Sequence, residues 1–175
     1  MTETANDSFR VFPYRSDYED GRTNNGGIDL VHEPERIAEV TELEKSDALK
    51  AFVLRMNSPN SPYLTLGCDY ENLDDGGHGY VEFATRHFGR IEHSGLSHLP
   101  DSFADWMASR GLDRERLARY VTWETDWYQH RNRDADGAQR LKLTFYYRGR
   151  PADEAEQVLG ALQAFLFPGE SLPEQ

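Results

Sequence analysis

Between Tyr120 and Phe167 the apolar residues change period once, and that change dictates a β-hairpin followed by a helix. In YVTWETDWYQHR, Val121, Trp123, Thr125 and Trp127 share one parity, and Tyr120, Thr122, Glu124, Asp126 and Tyr128 share the other, the two-residue period of a strand. Asn132 to Ala138 collect Asn, Asp and Gly, which tolerate the positive φ of a turn. Leu141, Leu143, Phe145 and Tyr147 then alternate with Arg140, Lys142, Thr144 and Tyr146, giving a second strand with one apolar face. After Gly149 and Pro151 the spacing becomes helical through Ala155, Val158, Leu159, Leu162, Phe165 and Leu166, with acids in the first turn and Pro168 and Gly169 as the stop. A lone hairpin is marginal in water, so this helix is expected to cover its apolar face, each buried side chain contributing about 1.5–3 kcal/mol before entropy.

A second hairpin precedes it. YLTLGCDY places Leu64, Leu66, Cys68 and Tyr70 on one side, residues 71–79 form a turn with two adjacent glycines, and Tyr80 to Thr85 returns with Val81 and Phe83 on one side. YLTLGCDYENLDDGG resembles YVTWETDWYQHRNRDADG, each an aromatic-led strand running into an Asp/Gly turn, and ordinary hairpin chemistry used twice explains this better than an internal duplication. Ser46 caps a helix whose apolar stripe is Ala48, Leu49, Phe52, Val53 and Met56. Pro34 opens a helical stretch through Ile37, Val40 and Leu43, and Pro100 to Arg110 reads as a helix stopped by Gly111. Asp113 caps one further turn, and residues 86–95 suggest a short strand or bulge. FRVFPY reads as an edge strand, because Pro13 bars it from a sheet interior. The expected fold class is therefore α+β: two layers, an antiparallel sheet of at least four strands built from two hairpins, with helices mainly on one face.

At 175 residues the chain fits a single domain, 1–175, with residues 1–8 expected to fray and 17–27 to form a mobile loop. It carries 31 acidic against 19 basic side chains, a net charge of -12. That balance opposes binding to nucleic-acid phosphates or anionic membranes and favours a basic partner. The single cysteine, Cys68, fits a reducing compartment, and no leader-like or membrane-spanning run is present, so the expected location is cytoplasmic.

Chemistry is sparsely signalled. His78, His87, His93 and His98 lie near several acids, the residue types of a zinc or iron site, but without HExxH, HxH or a helical pair. Asn132, Asp134, Asp136 and Gly137 match the opening of a calcium loop, which fails where Leu143 stands in place of the closing Glu. Cys68, sharing parity with Leu64 and Leu66, is expected to face the core as a small apolar residue. No phosphate-binding glycine loop or nucleophile elbow occurs, and no cofactor is expected. Tyr120, Tyr128 and Tyr146 are expected to project from the polar face of the second hairpin, where Glu124, Asp126 and His130 add an acidic, amphipathic character. With Asp74 and Asp75 of the first hairpin's turn, these residues form the expected partner-binding set. The expected function is a non-enzymatic acidic binding protein, in concrete form an immunity-type inhibitor that occludes a basic toxin or enzyme. The alternatives are a small metal-dependent enzyme using the histidine region, and a homodimer joined through the sheet face or an edge strand.

Overall fold

The computed structural model describes residues 11–13, 27–86, 93–131 and 138–169. The strands are β1 (Val11–Phe12), β2 (Tyr63–Leu73), β3 (Gly76–Thr85), β4 (Val121–His130) and β5 (Arg140–Gly149). The helices are α1 (Asp47–Asn57), α2 (His93–Ser97), α3 (Leu99–Ala108), α4 (Arg114–Leu117) and α5 (Ala152–Leu166). The fold is α+β around one five-stranded sheet in the order β1-β4-β5-β3-β2. The two hairpins meet through antiparallel pairing of β3 with β5, which sets Val81 opposite Phe145 and Phe83 opposite Leu143. The sheet is mixed, not purely antiparallel: β1 pairs with β4 in parallel, Val11 opposite Gln129 and Phe12 opposite His130. β1 does lie at an edge, where the absent N–H of Pro13 does no harm.

Helices α1, α3 and α5 pack on one side of the sheet and on one another. Phe103 of α3 is the hub of that core, with its ring centroid 5.9 Å from Phe145, 6.0 Å from Trp123 and 5.4 Å from Phe165. The side chains α5 buries are Ala155, Val158, Leu159, Leu162 and Leu166, the stripe read from helical spacing, while Phe165 is half-buried against Phe103 and Trp106. Gly79 and Gly149 permit close approach. A Cβ on Gly79 would strike the Tyr147 ring, and one on Gly149 would strike the first turn of α5. Ser46 caps α1 as expected, accepting from Leu49 N at 3.2 Å, and its hydroxyl also donates to Glu156 Oε1 of α5 at 2.7 Å.

A smaller cluster lies on the opposite face at one end of the sheet: Phe12, Leu64, Leu66, Ala84 and Tyr128. It corrects the reading of β2. The register shifts between Thr65 and Gly67, leaving Leu66 as the extra residue of a bulge, so the parity inverts there. Leu64 and Leu66 face this cluster, whereas Cys68 packs against the main core, to which Tyr70 belongs. Gly27 has a positive φ of 71°, and a Cβ there would strike the Phe12 ring of β1 and crowd the Leu66 carbonyl of β2, so this position has room for glycine alone.

Other differences are local. The stretch from Pro34 forms two 3-10 turns, Pro34–Glu39 and Thr41–Lys45, separated at Val40, not one helix. The chain from His93 to Ser97 is helical, while residues 87–92 of the expected strand or bulge lie outside the described residues. So do residues 1–8, residues 17–26 of the expected loop, and the calcium-like turn 132–137. Among the described residues no helix is long and apolar enough to cross a membrane.

The packing predicts a graded mutational response. Phe145→Ala empties a fully buried site and should cost about 3–5 kcal/mol. Ser46→Ala should cost about 1–2 kcal/mol through loss of the cap, and Leu54→Ala, 49% exposed, should stay within about 0.5 kcal/mol. Denaturant unfolding checks the order; an effect of Phe145→Ala no larger than that of Leu54→Ala would contradict the core assignment.

Candidate functional site

The side of the sheet away from the helices carries the residues that alternate with the core positions. β4 contributes Thr122, Glu124 and Asp126, β5 contributes Lys142, Thr144 and Tyr146, and β3 contributes Tyr80 and Glu82. Register orders them: Tyr146 lies between Tyr80 and Thr122, Thr144 between Glu82 and Glu124, and Lys142 opposite Asp126. Tyr146, 37% exposed, donates its hydroxyl to Glu124 Oε2 at 2.9 Å, and its ring lies 5.9 Å from that of Tyr80. Lys142 is buried and committed to Glu82, Nζ to Oε1 2.6 Å. Glu124 and Asp126 are exposed; Asp126 Oδ1 accepts the backbone N–H of Trp127 at 2.7 Å. The middle of this face therefore presents two carboxylates beside a tyrosine, with its buried lysine already matched.

The expected partner-binding residues fall into three places. Glu124, Asp126 and Tyr146 share the helix-free face. Asp74 and Asp75 are exposed in the β2–β3 turn, and Asp75 Oδ1 lies 3.3 Å from His78 Nε2. With Tyr120, Arg119 and Arg148, Asp75 and His78 border a shallow cavity of about 310 Å³ whose lining is mixed in charge. Three residues correct the expectation of an outward row: Tyr128 and His130 are both 0% exposed and offer no surface to a partner, and Tyr120 is half-buried against the helix-side core. Tyr128 and His130 share a face with Glu124, but at their end of the sheet the Phe12, Leu64 and Leu66 side chains close over it.

His130 belongs instead to a buried polar cluster that sequence reasoning missed. Asp29, 3% exposed, lies with Oδ2 3.1 Å from His130 Nε2 and 2.8 Å from His32 Nδ1, and its Oδ1 accepts from Val31 N at 3.3 Å. A buried carboxylate needs such partners to offset its lost hydration. No local pattern around Asp29 signals the pairing, because His130 follows it by about a hundred residues. Tyr80, Glu82 and Lys142 were also missed as members of the sheet face, since their company depends on the β3–β5 register.

Cys68 is half-buried, and burial, reinforced by Glu42, Asp69 and Glu82, pushes its thiol up to about 12. Such a thiol is a poor nucleophile near neutral pH. Among the described residues no three His, Cys, Asp or Glu side chains converge as a metal ligand set. His78 sits on β3 and His98 is exposed before α3, His87 lies outside the described residues, and the His93 side chain is not described. Compared with known protein families, curated proteins and solved structures, the chain matches none.

The tyrosines of both sheet faces give the protein a pH signature. Burial raises the phenols of Tyr63, Tyr70, Tyr80, Tyr146 and Tyr147; Tyr146 reaches about 12, with Glu124 adding to the effect of burial. Each folded value lies above the unfolded one of about 10. The stability these groups contribute is thus fully present below about pH 10 and is lost as pH rises through the folded values. Urea midpoints should fall between about pH 10 and pH 12, and phenolate absorbance in the folded protein should lag behind that of the unfolded chain. Coincident titration curves would contradict this assignment.

Proposed function

We propose that this protein is a non-enzymatic acidic binding protein that docks on a basic protein through the helix-free face of its sheet. One observation carries the reading: Glu124 and Asp126 stand exposed beside Tyr146 on the sheet, while the lysine among them is buried against Glu82. Tyrosine supplies contact area at low entropic cost, and exposed carboxylates steer a cationic partner and select against an acidic one. The net charge of -12 extends that steering beyond the contact itself. The concrete form is an immunity-type inhibitor that occludes the cationic active site of a basic toxin or enzyme. That form rests on the chain's size and acidity.

The test is quantitative capture from native lysate by the wild-type chain and by the Glu124→Ala, Asp126→Ala, Tyr146→Ala variant, at low and high salt. The expected result is a stoichiometric basic protein retained by the wild type, weakened at high salt, and bound at least about tenfold more weakly by the variant. Equal retention by both chains would remove this face from the interface. A captured partner that is acidic, or indifferent to salt, would sink the electrostatic reading itself.

A further inference from the structure

The two outer strands of the antiparallel part of the sheet, β2 and β4, are finished differently. On β2, Ser61 Oγ accepts Tyr63 N at 3.1 Å, Asn57 Oδ1 accepts Thr65 N at 3.1 Å, and Asp69 Oδ1 accepts Tyr70 N at 2.8 Å. The Thr41–Lys45 turn packs along the same strand, and Lys45 Nζ reaches Asp69 at 2.8 Å. On β4, Arg148 N donates to Tyr120 O at 2.9 Å, so the even-numbered residues direct their backbone groups toward β5 and the odd-numbered ones outward. Arg131 N donating to Phe12 O at 2.7 Å has the same parity. Among the described residues β1 pairs with this outer edge beside Gln129 and His130, and Asp126 Oδ1 accepts Trp127 N. Among the described residues no strand pairs with the outward N–H and C=O groups of Val121, Trp123 and Thr125.

Native sheets blunt such edges or use them. Here the side chains beside the gap specify an occupant. On the helix-free face stand Glu124 and Asp126; on the other stand Trp123, half-buried, and Trp127, 44% exposed. A segment added along this edge meets carboxylates on one face and indole rings on the other, which suits an extended peptide alternating basic and apolar residues. A second copy of this chain would bring -12 against -12 and set its own Glu124 near its partner's equivalent acids. The chain's first eight residues, MTETANDS, hold two acids and no base.

We infer that the outer edge of β4 from Val121 to Thr125 is a strand-addition site for an extended basic–apolar segment of a partner protein. The charge of the occupant rests on the acidic-binder reading above; its backbone geometry rests on the open edge alone.

The test uses the full chain and a short peptide of alternating valine and lysine, with a valine–glutamate peptide as control, read by amide hydrogen exchange resolved by residue. The expected result is that the valine–lysine peptide slows exchange of the Val121, Trp123 and Thr125 amides by about tenfold or more. High salt should weaken the effect, and the control should give none. Thr125→Pro removes an outward N–H without touching the ladder to β5, so it should abolish the protection while leaving the fold intact. Salt-sensitive binding that shifts Tyr146 and Glu124 but leaves those three amides exchanging freely would overturn strand addition and leave the acidic face standing. Equal protection by the control peptide would overturn the charged occupant. No binding at millimolar peptide would overturn the inference. Protection already present in the free protein would do so as well, assigning the edge to a second copy if dilution removes it and to the chain's own N-terminal segment if truncation does.

Discussion

The side-by-side pairing of β3 and β5 is the constraint on which the remaining architecture depends. It turns two hairpins into a single sheet and places Val81, Phe83, Leu143, Phe145 and Tyr147 on one continuous apolar surface. Without it each hairpin would have only a narrow strip for a helix to cover, and two-stranded units do not sustain themselves in water. With it, α5 spans both hairpins, α1 braces α5 through the Ser46–Glu156 hydrogen bond, and Phe103 joins β4, β5 and α5 through ring contacts. Glycine in β3 makes room for the core: the vacant side-chain position of Gly79 is where the Tyr147 ring lies.

The same pairing gives a physical meaning to the likeness between YLTLGCDY and YVTWETDW. Both segments are outer strands of the antiparallel four, and in both the aspartate takes up the outward N–H of the next aromatic residue, Asp69 for Tyr70 and Asp126 for Trp127. An edge strand needs a way to retire outward donors without a neighbouring strand, and a carboxylate one residue earlier does so while adding a charge that discourages random pairing. The shared composition follows from the shared position in the sheet.

Elements were legible in the sequence wherever their determinants are local. The period of Leu141 to Tyr147, the Ser46 and Asp113 caps, the α5 stripe and the edge character of the segment before Pro13 all depend on neighbours within a few residues. What escaped depends on partners far along the chain. The Leu66 bulge is invisible in the alternation of YLTLGCDY, which reads as perfectly regular, and only the count against β3 exposes the extra residue. The parallel sense of β1 and the Asp29–His130 pair are likewise settled by tertiary contact. So is the burial of Tyr128, whose parity correctly placed it on a face with Glu124 but carried no information about where along the strand that face closes. Of the candidate surface, Glu124, Asp126 and Tyr146 were legible as a group, whereas the burial of Lys142 beneath Glu82 was not.

The parallel placement of β1 also imposes an order in time. Its partner residues on β4 emerge from the ribosome more than a hundred residues after it, a delay on the order of ten seconds at about 5–20 residues per second. During that interval the first hairpin and α1 can form from local contacts, but Phe12 has neither Tyr128 nor His130 to pack against. The earliest-made strand is therefore among the last to find its place, and the interval in which Val11 and Phe12 lack their β4 partners is when a chaperone would have most to do.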